Sequence, residues 1–261
     1  MADGHLMRDG FLKKLDSDSI SGPALILIIA TIAGGGCNFL FQIMMQNTIP
    51  NQISELNTLL SILYIISVPA GAVQNVVVKF VSKYKAENND DAISYIMRRT
   101  FILVAGLGAA IGIVTSFILC TDTIRGALKL TSTTAIALIG AAIFFSLLQP
   151  VGSGALQGFQ KFTKYGTQSM MNYALKLIVG FGAVLAGYGV AGAIGGVITG
   201  IAFASILSLF LVKDHLLNKG TPVKTNEIWR STVPSMVGML CYTILTNVDI
   251  IFGAILFDKD P

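Results

Sequence analysis

The sequence predicts an all-α, polytopic transmembrane helix bundle of about seven spans. Three observations carry that prediction. The first is composition: of 261 residues, 53% are hydrophobic and only 12% charged, whereas a soluble domain carries about 25% charged residues. Too little polar surface remains to coat a globule in water. The second is length. Seven apolar stretches, about 22–46, 54–79, 100–120, 133–157, 167–188, 190–212 and 232–257, each provide the roughly 20 residues of helix that a 30 Å hydrocarbon core requires. The third is the alternation of charge between successive loops. Backbone groups in lipid must bond within their own segment, so the stretches are helices. A barrel would show short alternating strands, and an unbroken run such as Phe101 to Cys120 is not one.

Charge sets the expected topology. With the N-terminus in the cytoplasm, the inner segments hold Arg8, Lys13, Lys14, Lys79, Lys83, Lys85, Arg98, Arg99, Lys161, Lys164, Lys213, Lys219, Lys224 and Arg230. The outer segments hold Arg125, Lys129 and Lys259, and Lys176 lies within a span. The positive-inside rule then predicts a multi-pass protein of the cell (plasma) membrane, with a cytoplasmic N-terminus and Pro261 outside. The net charge of +4 is accounted for by this asymmetry, so nucleic acid is not an expected partner, whereas membrane lipid is. Cys37, Cys120 and Cys241 fall in or at the ends of separate spans without CxxC spacing, and His5 and His215 sit in cytoplasmic segments as expected surface residues. No nucleophile elbow, phosphate loop or HExxH motif is present. The expectation is no metal, no cofactor and no enzymatic activity.

The elements follow in order. Residues 1–21 form a cytoplasmic segment whose Met7, Phe11 and Leu15 share one helical face, either an interfacial helix or a disordered tail. The first apolar run starts about 20 residues in and is too long for a signal h-region, so an uncleaved first helix is expected. Asn47 to Ile53 is a short uncharged loop, and Lys79 to Arg99 a basic cytoplasmic segment in which Asn88 to Asp91 marks a turn or helix start. Ile124, Leu128 and Leu130 suit a short interfacial turn between the third and fourth spans. Gly187-Tyr188-Gly189 leaves room only for a tight hairpin between the fifth and sixth. Gly192, Gly196 and Gly200 form a small-residue stripe suited to close helix packing. Pro69 and Pro150 fall inside spans, where they permit kinks.

The longest hydrophilic linker, 213–231, separates residues 22–212 from a last span in 232–261. Pro23 and Pro50 bracket the first span as Pro234 and Pro261 bracket the seventh, with Phe41 opposite Phe252 and Asn38 opposite Asp249. This echo predicts one repeat followed by the first helix of a second, more loosely attached, in a chain that stops short of completing it.

At this point the sequence resembles a known family. The six spans, the basic linker and a seventh span carrying Thr246-Asn-Val-Asp-Ile-Ile251 look like polysaccharide and oligosaccharide flippases of the multidrug/oligosaccharidyl-lipid/polysaccharide exporter superfamily. The passages Leu156-Gln-Gly-Phe-Gln-Lys-Phe162, Lys176-Leu-Ile-Val-Gly180, Gly187-Tyr-Gly-Val-Ala-Gly-Ala193 and Phe257-Asp-Lys-Asp-Pro261 fit the same pattern. Members are built from two lobes. The resemblance implies a six-helix N-lobe at 22–212, the first helix of a C-lobe at 232–261, and an N-terminal fragment of the whole. It also implies alternating access, in which two lobes rock about a central cavity and the headgroup of a lipid-linked oligosaccharide crosses there.

Polar residues inside the spans are the candidate site. A charge near the bilayer centre costs on the order of 3 kcal/mol or more, so it faces a cavity or a partner. Lys176 is a candidate contact for an anionic lipid-pyrophosphate, or else a lysine snorkelling to the inner interface. Asp249, in the outer half of the seventh span, is a candidate for coupling to a cation (H+ or Na+), for pairing with Lys176, or for a structural hydrogen bond. Asn38, Gln42, Gln149 and Asn172 are candidate substrate contacts, although amides also bond helix to helix. Glu55 is read as solvated or as a favourable charge at a helix N-terminus. The competing functions are a multidrug or organic-cation antiporter of the same superfamily and a seven-helix sensor or scaffold.

Overall fold

The computed structural model describes residues 21–218 apart from Lys129, together with Gly220, Pro234, Val237, Gly238 and Cys241. Helix α1 is Ser21–Thr48. A single 3-10 turn, Pro50–Gln52, leads into α2, Ile53–Ala86. The proline at the start of that turn lacks only an N–H that would have had no helical partner. Asn88 adopts a positive φ of 52°, and Asn89 caps α3, Asp90–Cys120, by accepting from Ala92 N at 3.0 Å. Asp90 and Asp91 place negative charge in that helix's first turn, where the helix dipole favours it. The expected outer turn is a short helix, α4, Asp122–Ala127, with Leu130 buried behind it. Ser132 caps α5, Thr133–Gly158. Helix α6 is Phe162–Ala183 and α7 is Gly189–Leu211, joined by a π-helical turn Val184–Tyr188. A last short helix, α8, is Lys213–Leu217.

Among the described residues, five continuous helical stretches are long and apolar enough to cross a membrane. The last, Phe162–Leu211, reverses direction at Gly187 (φ 91°) and Gly189 (φ 50°). Those left-handed conformations are accessible to glycine at little cost and turn the chain within three residues. Lys176 and Gly180 of α6 lie against Gly196 of α7, and Asn172 against Gly200. The two helices are therefore an antiparallel hairpin, and the described chain makes six crossings. Apart from Pro234, Val237, Gly238 and Cys241, the seventh expected span, with Asp249, lies outside the described residues, as do the N-terminal segment 1–20 with His5 and most of the 213–231 linker.

The helices run past the apolar stretches that reveal them. α2 and α3 contain 34 and 31 residues, roughly 51 and 46 Å of helix at 1.5 Å per residue. The basic segment Lys79 to Arg99 is accordingly not a loop. It is the projecting ends of two helices and a three-residue turn. Hydropathy reports where lipid ends, not where backbone hydrogen bonding ends.

Helix α5 is the centre of the bundle, packed by α2, α3 and α7, while α6 is sandwiched between α7 and α1. Close approach explains the central position. A Cβ at Gly112 of α3 would meet the carbonyl oxygen of Gly140 at 2.6 Å, and one at Gly154 that of Gln74 on α2 at 2.9 Å. Without an aqueous hydrophobic drive between helices, such backbone contact and a few hydroxyl bonds hold the bundle together. Ser67 and Ser146 oxygens meet at 2.9 Å between α2 and α5, and Ser205 of α7 donates to Phe145 O at 3.1 Å.

The ends of the bundle differ in charge. One end gathers Lys79, Lys83, Lys85, Arg98, Arg99, Lys161, Lys164 and Lys213. There Lys85 donates to Phe159 O at 2.7 Å, placing a cation at the carbonyl end of α5. His215 is half-buried and stacks on Phe159 with centroids 4.7 Å apart, so it is not the solvated histidine expected. At the opposite end Val190 N donates to Gln52 Oε1 at 3.2 Å.

Candidate functional site

Lys176 lies 14 residues beyond Phe162 and 12 before Tyr188, roughly 21 and 18 Å from the two ends of its crossing at 1.5 Å per residue. Lys176 is therefore close to the middle of its crossing helix, whose first five residues precede the apolar stretch. Its backbone faces the glycine stripe of α7, and its side chain turns the other way, into the seam with α1. The seam is a parallel contact of constant register: Gly34 against the Tyr173 ring, Asn38 against Lys176, Phe41 against Gly180. A Cβ at Gly180 would sit 2.9 Å from Phe41 Cε2. Glycine at 180 thus lets the phenyl ring enter the seam.

The ammonium ends in this seam and reaches neither interface. Lys176 is 8% exposed. Its Nζ donates to Asn38 Oδ1 at 2.7 Å and stands 4.5 Å from the centroid of the fully buried Phe41 ring. Both partners are neutral. An amide oxygen accepts one of three available protons, and the ring face attracts the cation through its quadrupole. Described carboxylates all lie at helix ends: Glu55, Glu87, Asp90, Asp91, Asp122 and Asp214. Among the described residues, then, the membrane interior holds one cation and no anion at its depth.

The other predicted contacts divide. Asn38 joins Lys176 directly. Gln42 follows Asn38 by one turn on α1, half-buried and without a side-chain hydrogen bond among the described residues. Asn172 is one turn below Lys176, but its Oδ1 abuts Gly200 of α7, 2.7 Å from where a Cβ would stand. That oxygen belongs to the α6/α7 contact. Gln149 lies on α5 between Phe145, bonded to α7, and Ser153, bonded to Gln168 of α6. The antiparallel register set by Ser153 and Gln168 makes Gln149 level with Asn172.

Two polar features were not foreseen. Gln168 is fully buried and donates to Ser153 Oγ at 3.2 Å. It falls at the start of the 167–188 stretch, where nothing in the sequence distinguishes it from the other amides of the spans. Glu55 is the larger correction. It is buried, not solvated, and one carboxylate oxygen accepts from Thr131 N and Ser132 N, both at 2.9 Å. The other oxygen accepts from Thr131 Oγ1 at 2.6 Å. Glu55 does lie in the first turn of its own helix α2, as expected, and its carboxylate also meets the start of α5. Glu followed by Leu-Asn-Thr gives no sign of a partner 76 residues away.

No protein family matches the chain by sequence, and no curated protein does. Solved structures match its fold. A MOP superfamily transporter from Pyrococcus furiosus, described as having a binding pocket of reversed polarity, aligns at TM-score 0.69 and 16% identity, over 85% of this chain and 53% of its own. A MATE transporter in its straight conformation aligns at TM-score 0.72 and 17% identity, over 87% of this chain and 54% of that one. An outward-facing multidrug resistance MATE family transporter aligns at 0.68 and 18%, over 85% and 53%. These structures show a shared fold, at identities of 16–18%. The chain has the all-α transmembrane fold shared with MOP superfamily transporters, and it spans about half the length of the structures it matches.

Proposed function

We propose that this chain supplies one lobe of an alternating-access transporter that moves an amphipathic substrate bearing an anionic group, a lipid-linked oligosaccharide or polysaccharide precursor being the substrate class. The single observation that carries the reading is the Lys176 ammonium, buried near the middle of its helix, with Asn38 and Phe41 as its partners among the described residues. A buried charge with neutral partners is costly to maintain. A phosphate or pyrophosphate entering from the side would supply the missing counter-charge through a charge-assisted bond. Gln42 and Gln149 are proposed to meet sugar hydroxyls, and Asp249 to couple transport to a cation. The basic end of the bundle faces the cytoplasm in this reading, and the 22–212 lobe is joined by the linker to a second.

The test is transport by full-length protein in proteoliposomes. Lys176→Ala is expected to slow movement of a lipid-linked pyrophosphate oligosaccharide about tenfold or more, the order expected for one charged hydrogen bond. Lys176→Arg should retain more, because its charge survives with altered geometry. An organic-cation antiporter is the second reading, favoured by the multidrug MATE transporters among the matched structures. Transport of an organic cation by the native protein, unaffected by Lys176→Ala, would establish that reading and defeat the first.

A further inference from the structure

We propose that the basic end of the bundle carries a binding site for an anionic phospholipid, in the groove where α3 meets the junction of α7 and α8. Two cavities adjoin there, of about 650 and 360 Å³, and they share Arg98 and Ile102. Arg98 is exposed and lines both. Arg99 lines the first cavity beside it and donates to the Tyr95 hydroxyl at 2.9 Å. Lys213 closes the far side of the second, its ammonium 4.6 Å from the Phe210 ring centroid. The rim is therefore cationic on both sides.

The floor is apolar. One turn along α3 from the arginines, Ile102 is 59% and Leu103 39% exposed, and one turn farther Leu107 is 54% exposed. Leu217 of α8 faces the same groove at 77% exposure. A phosphate held by Arg98 and Lys213 would leave its acyl chains running down α3 toward the membrane interior. That order, cations at the helix end and an unpartnered apolar track below them, matches an anionic phospholipid. A soluble phosphate would use only the rim. The site involves neither Lys176 nor the α1/α6 seam, so it stands or falls independently of the transported substrate.

Native mass spectrometry of the purified full-length protein, with phosphatidylglycerol and phosphatidylcholine supplied equally, tests it. Each basic side chain near an anionic headgroup contributes about fivefold, so the native protein should retain phosphatidylglycerol in excess by about tenfold or more. Arg98→Gln with Lys213→Gln should bring the ratio close to parity. If that pair of changes prevents folding, judged by size exclusion and helical circular dichroism, Arg98→Gln alone should lower the ratio about fivefold. Lys164→Gln, at the same end but lining neither cavity, should leave it unchanged. Equal retention of the two lipids by the native protein overturns the proposal, as does an equal loss in Lys164→Gln. Full displacement of phosphatidylglycerol by millimolar glycerol phosphate would also overturn it, marking a site for soluble anions instead.

Discussion

Glu55 and Lys176 are both buried charges, and the structure treats them oppositely. The Glu55 carboxylate accepts three hydrogen bonds at the start of α5, two from backbone N–H groups and one from a hydroxyl. Its charge is spread over backbone donors at the cap of α5, Ser132, and at the residue before it, Thr131, which the helix itself does not satisfy. Among the described residues, Lys176 has one amide oxygen and a ring face. The first charge is consumed by the fold. The second is held in place with bonding capacity to spare. How completely a buried charge is satisfied, rather than its burial, separates a structural ion from one poised to meet a ligand.

The comparison predicts an order of stability effects, read as apparent thermal unfolding of the full-length protein in detergent. Glu55→Ala should cost most, about 2–4 kcal/mol, because it frees three donors at the junction of α2 and α5. Asn38→Leu should cost about 1–2 kcal/mol, since it leaves the Lys176 ammonium without its acceptor. Combining it with Lys176→Met should recover that loss, a coupling that only direct partners show. Lys176→Met alone should change stability by less than about 1 kcal/mol or raise it, because a hydrophobic side chain replaces an incompletely paired charge. If Lys176→Met instead destabilises as much as Glu55→Ala, the two charges are alike and the contrast fails. Ser67→Ala should cost about 0.6 kcal/mol, the typical worth of a neutral interhelical bond in a membrane protein, and so sets the baseline.

Much of the bundle is legible in the chain, and the reason is the solvent. Lipid demands long apolar helices, so Phe101 to Cys120 or Val190 to Val212 declares a crossing without reference to any neighbour. The hairpin is legible too, because Gly187 and Gly189 are among the few residues that turn a chain so sharply at little cost. The ends of α2 and α3 were not. Past the lipid boundary polar residues continue the helix as readily as apolar ones, and only capping at Asn89 marks the restart.

The candidate site was half legible. A lysine in an apolar run is conspicuous anywhere, so Lys176 stands out from the sequence, and Asn38 stands out as a polar residue in the first span. That they meet at 2.7 Å depends on the parallel register of α1 and α6, which Gly34 and Gly180 permit and the sequence does not state. Asn172 carries the same amide as Asn38, yet its oxygen is turned against Gly200 on the opposite side of α6.

What the sequence determined by itself, then, was the helical class, the six described crossings and the charge asymmetry, because each is a local response to lipid or to the loop beside it. What only the tertiary structure decided was partnership: Glu55 with Thr131 and Ser132, Lys176 with Asn38 and Phe41, His215 with Phe159. Those pairings join residues tens of positions apart. Helix packing chooses among many chemically equivalent polar partners by distance, and distance across a bundle is not written in the order of the chain.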